Sequence, residues 1–477
     1  HPLVTKSAEE RLRHARGQSL PDWLALRSGN LGIFPDGIAY PTTREDVRNL
    51  LAYGREAGAI VIPYGSGTSV VGHITPEKGK NPVLTIDMER MSRLLNLDKE
   101  SQIATFGAGA AGPDIEAQLR AQGYTLGHFP QSFEFSTLGG WIATRSSGQQ
   151  SLRYGRIEQL FAGGQLETSV GTLEIPTFPA SSAGPDLREM VLGSEGRLGV
   201  LTEVKVRITP LPERESFHVV FFPGWQAAVD AVRAAVQGRI HLSMLRLNNA
   251  IDTETNLAFA GHERLLALLE KLLSLRGAGA DKCMLMFGVT GTRAQCRTAL
   301  KQALRVFKRA DGVYTGTYVG RMWAKNRFRV PYLRNSLWEE GYAVDTIETA
   351  TDWQNVDHMM KVIEYALRGA LVHEKEMIHV FTHLSHLYPQ GSSVYTTYIF
   401  RTCETYEETF SRWQRLKTAA SEAIVANRGT ISHQHGVGVD HAPYLVAEKG
   451  ELGLAAFKTL CRHFDPDGMM NPGKLVL

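Results

Sequence analysis

Pro63-Tyr64-Gly65-Ser66-Gly67-Thr68-Ser69-Val70-Val71-Gly72 is a run of small residues whose backbone N–H groups can face one way, with Ser and Thr hydroxyls beside them. Such a run can form an anion nest for a pyrophosphate without a lysine. It lacks the Gly-Lys-Ser/Thr ending of a Walker loop. A bare connection between strands accounts for this segment equally well. Immediately upstream, Ala59-Ile60-Val61-Ile62-Pro63 reads as an apolar strand, and Glu45 to Ala57 has the apolar spacing of a helix. Downstream, Pro82 to Met88, Ile103 to Phe106 and Val200 to Ile208 alternate like half-buried strands. The texture is α+β rather than a clean βαβ repeat.

A second glycine segment, Gly107-Ala-Gly109-Ala-Ala-Gly112, matches GxGxxG literally between a strand and a helix from Pro113 to Leu119. A dinucleotide fingerprint would be followed by a parallel strand ending in an acid. Here the chain runs into Tyr124-Thr-Leu-Gly-His-Phe-Pro-Gln-Ser, so a tight strand-to-helix turn is the better reading. A third segment, Gln131-Ser132-Phe-Glu-Phe-Ser136-Thr137-Leu-Gly139-Gly140-Trp141-Ile-Ala143-Thr144-Arg-Ser146-Ser147-Gly148, is long, small and hydroxyl-rich. It suits close contact with an extended cofactor, where bulky side chains would collide. Gly193-Ser194-Glu195-Gly196-Arg-Leu-Gly199-Val200-Leu-Thr202-Glu203 makes a fourth.

The 477 residues are too many for one compact core. Lys plus Arg number 52 against 49 Asp plus Glu, too even a balance for a nucleic-acid binder. No run of 18 apolar residues exists to span a bilayer. Cys283, Cys296, Cys403 and Cys461 show no CxxC spacing, which argues against a zinc ribbon or disulfide framework and fits a reducing compartment. The chain begins at His1 without a signal-like segment, as a chain with its leader removed would, and its Lys-Leu-Val-Leu end is not a peroxisomal address.

A helical N-terminal segment (1–33, with a helix at Ala8 to Arg16) precedes the glycine-rich domain (34–211). A second domain (212–429) alternates strands, such as Phe217 to Phe222 and Cys283 to Val289, with helices at Trp225–Val236, His262–Leu275, Arg293–Lys308, Trp353–Leu371 and Tyr406–Asn427. The remaining residues, 430–477, carry Ser432-His433-Gln434-His435-Gly436-Val437-Gly438. His433 and His435 would point the same way in an extended segment, able to ligate a metal or move protons. A metal would want further ligands such as His383 and His386, and a structural role for those two is preferred. Tyr395 and Tyr398 fall on opposite faces of the strand-like Gly391 to Phe400. Arg246 and Arg334 each sit among apolar residues, where an Arg commonly meets an acid, a phosphate or a carboxylate. Glu348 is a nearby structural partner for such a charge.

The order and spacing of PYGSGTSVVG, QSFEFSTLGGWIATRSSG and GSEGRLGVLTEV, with Asp465-Pro-Asp-Gly-Met-Met-Asn-Pro-Gly-Lys474 at the end, resemble the vanillyl-alcohol oxidase / p-cresol methylhydroxylase flavoproteins. The resemblance implies a two-subdomain FAD-binding domain, an α/β cap domain with an antiparallel sheet, and a C-terminal segment returning to the FAD domain. It puts Pro63 and Gly65, Ser66, Gly67, Thr68 and Ser69 at the pyrophosphate. Pro130, Gln131, Ser132, Thr137, Gly140 and Thr144 would line the flavin, and Glu195, Gly199 and Val200 the path from adenosine to isoalloxazine. No His occupies Ser66 to Ser69, so the expected FAD is non-covalent.

Within that family, LRLNN, PYLRN followed by IETATDW, SSVYTTY and SHQHGVG resemble the alkyldihydroxyacetonephosphate synthases, the ether-lipid branch. There acyl-dihydroxyacetone phosphate exchanges its acyl group for a fatty alcohol without net redox change. The resemblance gives Tyr395 an acid/base role, Arg334 an anion-anchoring one, Arg246 an active-site position, and His433 and His435 proton transfer beside the phosphate, with no metal. It implies lipid-like partners, peripheral membrane contact, a homodimer, and a cytoplasmic location (peroxisomal for a eukaryotic chain with its leader removed). Two departures stand out: Gln434 where the branch has a third consecutive His, and Gln131 where it has an acid. The alternative is an FAD-dependent 2-hydroxy acid dehydrogenase of the lactate or glycolate type. Members of that branch show a glycine-aspartate-glycine-asparagine stretch, where this chain has Leu384-Ser-His-Leu-Tyr-Pro-Gln-Gly-Ser. A FAD-binding scaffold without chemistry ranks last, because Arg, His and Tyr are all present.

Overall fold

A computed structural model of the chain describes residues 1–77, 79–259 and 263–476. Three sheets of four or more strands organise it, beside a two-stranded pairing of Tyr124–Thr125 with Thr209–Pro210. In the first, Gly37–Ala39, Val83–Asp87 and Ile60–Tyr64 run parallel in that order. The helix Arg44–Glu56, started by a reciprocal Thr43–Asp46 capping box, buries Val47, Leu50 and Leu51 against this sheet. A small parallel unit therefore exists inside what reads as α+β texture. The second sheet is antiparallel: Leu94–Asp98, Ile103–Gly107, Val200–Arg207, Phe161–Thr168 and Gly171–Ile175.

The third sheet has seven antiparallel strands, in the order Val313–Gly316, Arg214–Phe222, Cys283–Gly291, Met244–Asn248, His379–Leu384, Gly391–Arg401 and Tyr342–Asp352. Helices Trp225–Gln237, Arg293–Arg309, Trp353–Gly369 and Tyr406–Ala426 supply the apolar stripes of its core. A helix occupies Glu263–Leu275, and the expected start at His262 lies outside the described residues.

The N-terminal segment differs from expectation. The first helix stops at Arg13, and a second, Leu20–Ser28, follows it, capped by Ser19 with Pro21 in its first turn. Val4–Thr5 adds a strand to the first sheet, so this segment is sewn into the glycine-rich domain. The C-terminus returns to the same sheet. The Asp465 carboxylate accepts the N–H groups of Met469 and Met470, and Val61 exchanges backbone hydrogen bonds with Met469 and Asn471. All four cysteines are free, and no helix among the described residues is long and apolar enough to cross a membrane.

Candidate active site

The two glycine segments behave in opposite ways. From Ser66 to Gly72, no backbone N–H finds an acceptor among the described residues. In Gly107–Gly112, the N–H groups of Gly107, Ala108, Gly109, Ala110 and Gly112 all donate within the protein. A Cβ at Gly107 or Gly109 would collide with the backbone at Met91 or Met88. The literal GxGxxG is thus a close-packing device, while the 66–72 loop offers a row of free donors. Thr137 closes that loop from the other side, because a Cβ at Gly65 would overlap its hydroxyl and one at Gly140 would come within 3.2 Å of it. The first and third small-residue segments therefore meet. Gln131 and Ser132 lie on the turn before Thr137, and the Thr144 hydroxyl donates to the Gly140 carbonyl.

Across the third sheet, strand register lines up a polar row on one face. Tyr395 lies directly opposite His383 on one neighbouring strand and Glu348 on the other. Arg246 is two residues from Asn248, which pairs with His383, and so shares the face. The His383 and Tyr395 rings stack at 4.7 Å. Arg246 reaches the Asn248 side chain at 3.2 Å and His383 Nδ1 at 3.3 Å. The fully buried Asp252 lies 3.3 Å from His383 and 3.8 Å from Arg246, which balances the charge. Tyr398 faces the other way and donates to Asp345 at 3.0 Å.

The C-terminal histidines converge on Glu348. His433 Nδ1 lies 3.1 Å from Oε1 and His435 Nε2 4.0 Å from Oε2, which has no hydrogen-bond partner. The His435 ring meets Tyr395 edge-on at 5.9 Å. Burial pushes the Tyr395 phenol well above its ordinary range, and Glu348 adds to the shift. Burial also lowers His435, against the pull of Glu348. At neutral pH the site therefore holds a neutral phenol and a neutral imidazole.

Residues 35–175 match the family described as FAD binding domain, and 211–475 the family of FAD linked oxidases, C-terminal domain. The alkyldihydroxyacetonephosphate synthase of Trypanosoma brucei brucei is 31% identical over 482 residues, covering 99% of this chain and 78% of that protein. That of Dictyostelium discoideum is 30% identical, covering 98% and 77%. The chain belongs to the alkyldihydroxyacetonephosphate synthase family. A solved alkyldihydroxyacetonephosphate synthase structure superposes with a TM-score of 0.84 at 27% identity, covering 99% of this chain and 82% of that one. At 14% identity and a TM-score of 0.74, substrate-bound p-cresol methylhydroxylase shares the fold.

FAD is the cofactor these two matched domains carry, and the residues fit it: the free N–H donors of 66–72 suit a pyrophosphate, and Gly65 lets Thr137 close against that loop. Glu195, expected along the FAD path, and Arg334, expected at an anion, both make contacts within the protein. The buried Glu195 carboxylate is taken up by the N–H groups of Val437 and Gly438 and lies 3.2 Å from His73, so its side chain holds protein rather than cofactor. Arg334 donates to the Gln18 carbonyl and side chain and lies 4.1 Å over Trp23, while its buried Nε has no partner among the described residues. Glu348 serves the histidines instead of Arg334. Sequence reasoning missed Arg156, Tyr388 and Asp252 altogether; an isolated Arg, Tyr or Asp carries no local pattern.

Proposed function

We propose that this chain is an FAD-dependent alkyldihydroxyacetonephosphate synthase that exchanges the acyl group of acyl-dihydroxyacetone phosphate for a long-chain fatty alcohol with no net redox change. The meeting of Arg246, Tyr395, Glu348 and His435 on one face, beside FAD-domain residues, in a chain 31% identical to a named synthase, carries this reading. FAD, its pyrophosphate at the free donors of 66–72, would supply the ring chemistry that lets an alcohol replace the acylate without net redox change.

The neutral Tyr395 hydroxyl can donate to the departing carboxylate, whose charge it stabilises. Neutral His435 can take the proton alpha to the ketone on Nδ1 while its Nε2–H faces Glu348 Oε2, 4.0 Å away. Arg246, 21% exposed and balanced by Asp252, presents guanidinium N–H groups suited to a phosphate. Both substrates partition into bilayers, which supports peripheral membrane contact, testable by co-sedimentation with liposomes.

The deciding experiment incubates the FAD-loaded protein with acyl-dihydroxyacetone phosphate and hexadecanol, and separately with D-lactate or glycolate and a dye acceptor. Ether product in the first supports the proposal. Dye reduction without ether product transfers the chain to the hydroxy-acid branch.

A further inference from the structure

Arg156, from the FAD domain, grips His433 twice: one guanidinium nitrogen lies 2.7 Å from Nε2 and the other donates to the His433 carbonyl at 2.9 Å. The Tyr388 hydroxyl also lies 2.7 Å from Nε2. A guanidinium can only donate, so Nε2 must present its lone pair. The one proton of a neutral imidazole then sits on Nδ1, which points at Glu348 Oε1, 3.1 Å away. Both ring nitrogens are consumed.

We infer that Arg156 and Tyr388 fix His433 as the Nδ1–H tautomer, making it a positioning residue that orients Glu348 toward His435, with His435 the one of the two histidines free to move protons. The same logic bears on metal binding. Glu348, His386 and His433 bring ligand atoms within 4.8 Å of one another, all buried, a constellation that reads as a cation site. A His433 whose Nε2 accepts from Arg156 carries its proton on Nδ1 and has no lone pair left to ligate. Arg156 supplies the positive charge there instead.

His433 thus acts through Glu348, whose unpartnered Oε2 is the acceptor waiting beside His435. Three chain regions meet in this arrangement: the FAD domain through Arg156, the cap sheet through Glu348 and Tyr388, and the C-terminal segment through both histidines. The proposal deepens the synthase reading and rests on it.

The test compares His433→Asn with His433→Leu, each loaded with FAD and assayed for ether product. Asn keeps an N–H donor at the Nδ1 position but cannot exchange a proton. His433→Asn should retain turnover within about tenfold of the parent, while His433→Leu loses about a hundredfold or more. Arg156→Met/Tyr388→Phe, which strips both donors from Nε2, should fall as far as His433→Leu, with Arg156→Lys recovering part of the loss. If His433→Asn holds FAD yet is as inactive as His433→Leu, the imidazole itself moves the proton and the inference fails. A His433→Asn protein that takes up no FAD counts against it too, since the assigned hydrogen bond is kept. Absence of ether product from the parent protein would sink the synthase reading separately.

Discussion

Glu195 holds Val437: its Oε1 accepts the Val437 N–H at 2.5 Å, and Oε2 accepts that of Gly438 at 2.8 Å. The loop carrying His435 is thereby tied to the FAD domain by a buried carboxylate. Asn471, near the chain's end, donates to the Glu195 and His73 carbonyls, so the same FAD-domain residue also holds the C-terminal stretch. In Glu195→Gln one acceptor becomes an NH₂ facing an N–H. The expected cost is about 1–3 kcal/mol of stability, read by denaturant unfolding, with turnover falling further than FAD affinity. Unchanged stability and turnover would mean the loop is held elsewhere.

Tyr395→Phe removes one hydroxyl from a ring that stays stacked on His383. Among the described residues that hydroxyl's one hydrogen bond is to Thr346 at 3.3 Å, so folding and FAD content should persist. Loss of a positioned proton donor predicts a turnover decrease of about 10²–10⁴-fold. A near-parental rate with FAD bound would remove Tyr395 from the chemistry.

A row of free N–H donors is legible because its requirements are local: it needs contiguous small residues, as Gly65–Ser69 provides, whereas most N–H groups of 131–144 donate within the protein. The alternation of Tyr395 and Tyr398 followed from strand period alone. What stayed hidden depends on distant partners. Arg156 and His433 are 277 residues apart, and neither spacing nor composition announces the pair. Arg334 among apolar residues reads as an anion anchor, and its contacts with Trp23 and Gln18, which lie more than 300 residues away, are invisible to spacing. The helix Leu20–Ser28 was missed because its capping Ser19 and Pro21 look like a turn taken singly.

The two glycine segments should respond differently to alanine. Gly65→Ala would press its methyl on the Thr137 hydroxyl and push the 66–72 donors out of line. Flavin titration of the apoprotein should show affinity reduced about tenfold or more, with the fold retained. Gly109→Ala would drive a methyl into the Met88 backbone, and the expected result is loss of soluble folded protein. Equal FAD affinity in Gly65→Ala and the parent would remove the 66–72 loop from the pyrophosphate.

Acid should unfold this protein steeply. Burial is the leading cause that lowers His128 and His386 to about 3 and His218 to about 4, with Arg156, His433 and Arg214 respectively adding to it. His383, His433, His435 and His441 shift the same way. These imidazoles stay unprotonated in the fold, whereas in the unfolded chain they take up protons below about 6.5. The stability they contribute is present above that pH and is lost as pH falls from about 6.5 toward 4. Each contributes a slope of about 1.4 kcal/mol per pH unit within the window. Asp440, pushed up to about 6 by burial, works in the opposite direction, as does His14, raised by Asp87 against its burial. Glu89, also raised by burial, joins them, and His379 joins the lowered imidazoles; three such groups do not offset eight. The midpoint of thermal unfolding should therefore drop sharply between pH 7 and pH 5, with FAD released in the same transition. A midpoint constant across that range would show that the imidazoles are protonated within the fold, and the neutral His435 invoked as proton acceptor would go with it.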